Sequence, residues 1–396
     1  MDGLPSVAEA QQLVLTRVRP LSAERIPVAD AAGRVVAEPA FARTDLPPFP
    51  SSAMDGYAVR SADTPGTLPI GFRIAAGAPS PRPLAPGEAM AISTGGVVPE
   101  GCDAVVPIEH VAVIGNSVTT EKNVPIGANI RSRGGDLHVG DLVVPAGVRL
   151  TPARIGALAA AGVAEIAVAR RPRVAVLTTG SELVPPGLPL GPGQVYEANG
   201  SILAAQAVAA GCEVVRLPAV ADDEAAHRAS IEQGLACDAL VTSGGVSVGP
   251  HDLVRRVEAE LGVEEVFWRV SVKPGKPVAF GVRGETLVFG LPGNPVSSLV
   301  SFELFVRPAL LALQGLDNPL PCFEPGRLAR AVRRGLRDEL VRARTRIEAD
   351  TVVLEPLSGQ DSHMIARSAE ADALVWIPAG AGELAAGSLA GYYRLP

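Results

Sequence analysis

Three carboxylates, two lysines and several glycine-rich turns are the residues of this chain whose types and spacing could do chemistry. Glu182 in "TTGSE", Asp222 in "VADD" and Asp252 just after "TSGGVSVG" each stand at or after a short polar turn. Lys273 and Lys276 in "KPGKP" offer point charges for phosphate. In "GLPGNPVSS", Asn294 reads as a helix N-cap with Pro295 at the first helical position, so the N–H groups of that helix start could receive an anion. Gly245-Val246-Ser247-Val248-Gly249 also matches the G-x-S-x-G nucleophile elbow of serine hydrolases.

The hydrolase reading needs a histidine late in the chain that can reach Ser247. The five histidines are His110, His138, His227, His251 and His363. His251 is too close in sequence, and His363 is expected in a β-rich tail rather than on a loop of the same sheet; no HGGG-type oxyanion segment occurs. Ser247 is therefore read as a turn residue, and its glycines as places where backbone approaches a ligand closely. The other signals have plainer readings too. A carboxylate after a strand is more often a helix cap, "KPGKP" lacks P-loop spacing, and "PGNP" alone is a tight turn. Their convergence on one edge of one sheet is what gives them weight.

That sheet follows from the chain after Arg173. "VAVLTT" is a continuous apolar strand, Ser201 to Ala210 a helix, "CEVVRLPAV" a strand, Asp223 to Leu235 a helix, "CDALVTSGG" a strand, and Asp252 to Leu261 a helix. Apolar strands alternating with helices predict a doubly wound, mostly parallel α/β sheet covered on both faces, with ligands beyond the carboxyl ends of its strands. Leu299, Phe302, Val306, Leu310 and Leu313 then follow Pro295 at helical spacing. Earlier, Ser6 and Glu9 form a capping box opening a helix to about Val18, and Thr151 with Pro152 opens another. Residues 45–145 read as short strands broken by Gly and Pro. The expected organisation is multidomain, α/β plus β. A helical and extended linking domain takes 1–44 and 146–172, a β-rich insert 45–145, the α/β domain 173–316, and a small β-barrel-like domain 317–396.

Composition bounds the function. A net charge of −7 argues against a nucleic-acid surface, so an anionic ligand must be held by local groups. Cys102, Cys212, Cys237 and Cys322 form no C-x-x-C pair and are expected as small buried hydrophobes. The N-terminus carries no signal-peptide pattern and no apolar run approaches a membrane span, so a cytoplasmic address is expected.

"LPPFPSSAMDGYAVR" (46–60), "ISTGGVVPEGCDAVVPIE" (92–109), "TTGSELV" (178–184), "TSGGVSVG" (242–249), "VKPGKPVAFG" (272–281) and "GLPGNPVSSLVSF" (290–302) closely resemble the molybdopterin molybdenumtransferase family, which includes the bacterial MoeA proteins and the E domain of gephyrin. The resemblance covers nearly the whole chain in order. It implies an enzyme that takes adenylylated molybdopterin and molybdate, releases AMP, and leaves molybdenum on the dithiolene sulfurs. It also implies Mg²⁺ and a homodimer whose sites lie between the α/β domain of one protomer and the insert of the other. The upstream molybdopterin adenylyltransferase and downstream molybdoenzymes are the implied partners, without nucleic acid or membrane. Pterin binding would fall on the sheet-edge turns: Thr179, Gly180, Ser243, Gly244, Gly245, Ser247, Gly249, Pro292, Gly293, Asn294 and Pro295. Functional positions carried over are Asp55, Thr94, Asp136, Glu182, Asp222, Asp252, Lys273, Lys276, Pro292, Pro295 and Ser362.

Three carboxylates of the family pattern are missing: Gly135, Ser181 and Pro250 stand where acidic residues are usual. Those that remain still have a physical logic. Anions a few ångströms apart repel by several kcal/mol at an effective dielectric of about 20, a conflict a divalent cation removes. Glu182, Asp222 and Asp252 are accordingly assigned to metal and molybdate, and the lysines to phosphate. A tungstate-inserting relative and a non-catalytic pterin-binding or scaffold protein are the alternatives.

Overall fold

The structure, a computed structural model, describes residues 3–220, 223–245 and 253–396. Its α/β sheet runs in the order Glu213–Arg216, Arg173–Thr178, Ala239–Ser243, Thr286–Leu291, Ala279–Arg283, Glu264–Trp268. The first four strands pair in parallel and the last two pairings are antiparallel, so only Ala279–Arg283 runs against the rest. Side chains alternate between two cores, Val174 and Val176 facing one and Ala175 and Leu177 the other, as a sheet covered on both faces requires. The chain leaves strand Arg173–Thr178 toward one side and returns on the other with Ala239–Ser243. The topological switch point therefore falls between Thr178 and Ser243, which are register partners.

The helix after "PGNP" runs from Pro295 to Leu313 with a π turn at Phe302–Val306. Pro308 has no N–H to give the Leu304 carbonyl, and Gln11 Nε2 donates to that oxygen instead at 2.9 Å. This helix is 19 residues long and apolar enough to cross a bilayer, contrary to the expectation that no such run exists; it is 83% buried in the core. Gln11→Ala orphans the Leu304 carbonyl and is expected to cost about 1–3 kcal/mol. A urea midpoint equal to wild type, at unchanged slope, would refute that account.

Gln11 lies on the N-terminal helix, Val7–Leu15. Its capping box is formed as the sequence predicts: Ser6 Oγ accepts from Glu9 N–H at 3.2 Å and the Glu9 carboxylate accepts from Ser6 N–H at 2.8 Å. Val7, Ala10 and Val14 join the α/β core. Helix Pro152–Ala160, capped by Thr151, packs with the antiparallel ribbons Ala23–Pro27/Glu165–Ala169 and Ala40–Phe41/Leu142–Val144 around a separate core. Arg170 ties this region to the α/β sheet through two bonds to Asp238, at 2.7 and 2.6 Å.

Within residues 51–131, six strands between Gly56 and Thr120 form one sheet and Ser51–Ser52 pairs with Ile130–Arg131 in a separate ribbon, around the insert's own cores. In it Gly56 of "MDGY" has no freedom to be anything larger, since a Cβ would stand 1.9 Å from the Val106 carbonyl oxygen. After residue 323, strands Asp338–Glu348, Thr351–Pro356, Glu324–Leu328, Leu389–Arg394 and Ala373–Ile377 close into a barrel through the pairing of the first with the last. Val272–Lys273 of the α/β unit adds in parallel to Asp338–Glu339. Cys212 and Cys237 are buried, but Cys102 is only partly covered and Cys322 is exposed, so the reading of all four as core residues fails for two.

Candidate active site

At the switch point the strand ends turn sharply and leave a cleft of about 850 Å³. Thr179 N–H donates to the Ser243 carbonyl at 3.0 Å and Gly244 N–H to the Leu291 carbonyl at 3.2 Å, continuing the sheet one residue beyond its strands. Gly244 then adopts φ +96°, where a Cβ would lie 2.5 Å from the Thr179 carbonyl oxygen. Gly245, at φ +64°, would collide with Val254. Both glycines are thus required by conformation and by space.

Polar side chains stitch the cleft's floor. Asn199 Nδ2 donates to Ser243 Oγ at 2.9 Å and to the Gly293 carbonyl at 2.7 Å, while Ser243 Oγ donates to the Pro292 carbonyl at 3.2 Å. Three turns from distant parts of the sequence are thereby held as one surface. Asn294 precedes the helix as expected but does not cap it with its side chain. Its Nδ2 instead donates to Ser362 Oγ at 2.9 Å, bringing the barrel loop to the sheet edge. Val296 N–H is taken by the Ser362 carbonyl at 3.1 Å and Pro295 has none. The anion-receiving helix start expected from sequence is therefore already occupied at its first donor.

Glu182 lies over its own turn, its carboxylate covering Gly180 within 2.5 Å of where a Cβ would be. Glu197 also lines the cleft; its Oε1 accepts from Gly200 N–H at 2.7 Å. His227 is buried with Nδ1 2.8 Å from the Asp223 carbonyl oxygen. None of the described lining residues is lysine or arginine. The cleft consequently presents carboxylates, backbone and neutral polar groups, and a phosphate entering it meets no fixed positive charge from these walls.

The two lysines stand elsewhere. Lys273 Nζ pairs with Glu339 of the barrel at 3.0 Å and shares a hollow of about 510 Å³ with Arg333 and Arg334. Lys276 is exposed and outside the cleft lining, where Pro277 represents that turn. The expectation that sequence proximity would bring both lysines to the sheet edge is thus not met by their side chains. On the insert, Thr94 N–H donates to Asp55 Oδ1 at 2.7 Å, uniting two predicted residues, and Asp136 is exposed on a separate turn. No described residue of the insert lines the cleft. Asp222, Ser247, Gly249 and Asp252 lie outside the described residues, and among those described no group of three or more His, Cys, Asp or Glu is placed to hold a metal.

The sequence reading missed Glu197, Asn199, His227 and Pro277. Glu197 and Asn199 belong to "YEANG", a helix start that follows the two-residue strand Val195–Tyr196, too short to be read from an apolar run, so the strand-end rule passed over them. His363 was placed away from the sheet, yet it lines the cleft because the barrel loop folds back onto Asn294. Its location therefore does not argue against a hydrolase.

Comparison with known proteins addresses the same site. Residues 5–162 match the MoeA N-terminal region (domain I and II), 175–312 the probable molybdopterin binding domain, and 325–395 the MoeA C-terminal region (domain IV). The chain is 38% identical over 405 aligned residues to molybdopterin molybdenumtransferase 2 of Mycobacterium tuberculosis, spanning 97% of this chain and 98% of that protein. It is 39% identical over 300 residues to the molybdopterin molybdenumtransferase of Haemophilus influenzae, with coverage of 75% and 74%. A molybdopterin biosynthesis MoeA protein of Pyrococcus horikoshii superposes with a TM-score of 0.84 at 26% identity, covering 99% of this chain and all of the other. With its domains matched in order and at this identity along nearly its full length, the chain belongs to the molybdopterin molybdenumtransferase family, enzymes of molybdenum cofactor biosynthesis.

Proposed function

We propose that this enzyme inserts molybdate into adenylylated molybdopterin in the sheet-edge cleft, with Mg²⁺, and releases AMP. The observation that carries this reading is the cleft itself. It sits at the switch point, is large enough for a pterin nucleotide, and is walled by glycine turns and carboxylates without a basic residue among the described lining. A doubly anionic substrate in such a place calls for a cation. Mg²⁺ is usually held by one or two carboxylates together with substrate phosphates. Glu182 provides such an oxygen donor, and Asp222 and Asp252 are assigned to the same task. When bound, the metal would neutralise and polarise the phosphoryl oxygens. The glycine turns, Ser243, Pro292, Gly293 and Asn294 hold and orient the pterin. Lys273 and Lys276 are assigned to oxyanions approaching from the barrel side, where Arg333 and Arg334 add charge.

Asp55, Thr94 and Asp136 complete the site from a second protomer of a homodimer; that they are exposed on the insert and absent from this chain's own cleft supports the arrangement. The substrate's origin implies an upstream adenylyltransferase, the product's use implies downstream molybdoenzymes, and both fit a cytoplasmic setting. Tungstate is the competing oxyanion, and parallel incubations with molybdate and tungstate separate the two. A non-catalytic pterin-binding or scaffold role would release no AMP with either.

Glu182→Gln is expected to lower AMP release at limiting Mg²⁺ by tenfold or more, about 1.4 kcal/mol, while molybdopterin affinity stays within about twofold. Turnover equal to wild type at limiting Mg²⁺ would remove Glu182 from the metal's shell.

A further inference from the structure

Arg342 is the largest fully buried side chain of the barrel, 1% exposed, and none of its hydrogen bonds goes to a carboxylate. A buried guanidinium is costly unless its donors are met. Here the two terminal nitrogens are met by one short loop and the helix that follows it, while Nε is buried without a partner among the described residues. Nη1 donates to the Met364 carbonyl at 2.7 Å and to Ser368 Oγ at 2.9 Å, and Nη2 to the carbonyls of Gly359 at 2.7 Å and Asp361 at 3.3 Å. The backbone of the same residue repeats the pattern. Arg342 N–H donates to Gln360 Oε1 at 3.0 Å, and Gln360 Nε2 returns a bond to the Arg342 carbonyl at 2.9 Å. Residues 359–364 have no regular secondary structure, yet this one strand residue fixes both ends and the middle.

The loop so held is the one that reaches the cleft. Ser362 accepts from Asn294 Nδ2 through its hydroxyl and from Val296 N–H through its carbonyl, and His363 and Ile365 form part of the cleft wall. Arg342 itself does not line the cleft. We infer that Arg342 is a positioning residue for the cofactor cleft: it sets the barrel loop that presents Ser362 and His363 to the "PGNP" turn, and so makes the barrel a working part of the site. This rests on the reading of the cleft as the pterin site.

The test uses full-length Arg342→Ala, which leaves a hole shaped for free guanidinium, and Gln360→Ala, which loosens the loop without emptying the barrel core. Two readouts are taken on each. The first is hydrogen–deuterium exchange of the amides of residues 359–365, which needs no ligand; the second is molybdopterin affinity, followed anaerobically by pterin fluorescence. Faster exchange confined to the loop is expected, with affinity lowered roughly tenfold, the scale on which supporting residues act at other sites. Millimolar guanidinium, but not ammonium, should restore both in Arg342→Ala. Wild-type exchange in the loop of either variant would overturn the clamp. A loosened loop with unchanged affinity would overturn its positioning role, while Glu182→Gln separately tests the cleft reading. Should Arg342→Ala not fold, Gln360→Ala decides on the same two measurements.

Discussion

Mixed dimers of Asp55→Ala and Glu182→Ala protomers are expected to regain roughly a quarter of wild-type turnover when each homodimer alone has almost none. Asp55 is exposed on the insert with Thr94 bonded to it, Glu182 lies on the α/β cleft, and no described insert residue reaches that cleft within one chain. If the site is shared across a two-fold interface, a mixed dimer holds one doubly damaged site and one intact site. Random pairing makes half the dimers mixed, hence about one site in four intact. AMP release after co-expression with differential tags reads this directly. Turnover no better than that of the separate variants, with subunit exchange confirmed, would mean that Asp55 and Glu182 serve one site from one chain or different tasks altogether.

Gly244→Ala should be the most damaging single methyl group in the cleft. It forces a side chain into a left-handed conformation at φ +96° and drives Cβ to within 2.5 Å of the carbonyl oxygen of Thr179, a residue whose N–H is held by the Ser243 carbonyl. Strain and overpacking together should cost about 3 kcal/mol or more, and the shifted turn should abolish detectable pterin binding. Gly293 supplies the control. A Cβ there meets nothing closer than Gly244 Cα at 3.8 Å, so Gly293→Ala should retain near-normal stability. Equal urea midpoints for the two variants would show that the backbone argument misjudges the turn.

Local signals carried much of this architecture. The Ser6–Glu9 box, the Thr151 cap and the alternation of apolar strands with helices after Arg173 depend on neighbouring residues, and each appears in the fold where spacing predicted it. The glycine turns at the strand ends were legible too, but the switch point between Thr178 and Ser243 comes from the strand order, which no local signal carries. What escaped was set by contacts far apart in sequence. The Asn294 amide looked like a helix cap because nothing nearby announces Ser362, 68 residues on. Lys273 looked like a cleft residue because its partner, Glu339, belongs to a strand of the barrel. His363 looked remote for the same reason in reverse. The π turn was invisible because its cause is divided between Pro308 and Gln11.

The distribution of buried apolar residues sets what can move. Leu340 and Leu374 of the barrel lie in the same core as Val7, Val14 and the α/β helices, and Val272–Lys273 is sewn to the barrel by backbone pairing. Rotating the barrel away would strip that core, so its loop over the cleft is a fixed wall rather than a door. The insert, by contrast, keeps its apolar residues among themselves and joins the rest beside the short ribbon Ala40–Phe41/Leu142–Val144. Tilting about that ribbon leaves both of the insert's own apolar cores intact. The insert is thus an arm that can swing, carrying Asp55 and Thr94 with it, while the core beneath the cleft stays whole.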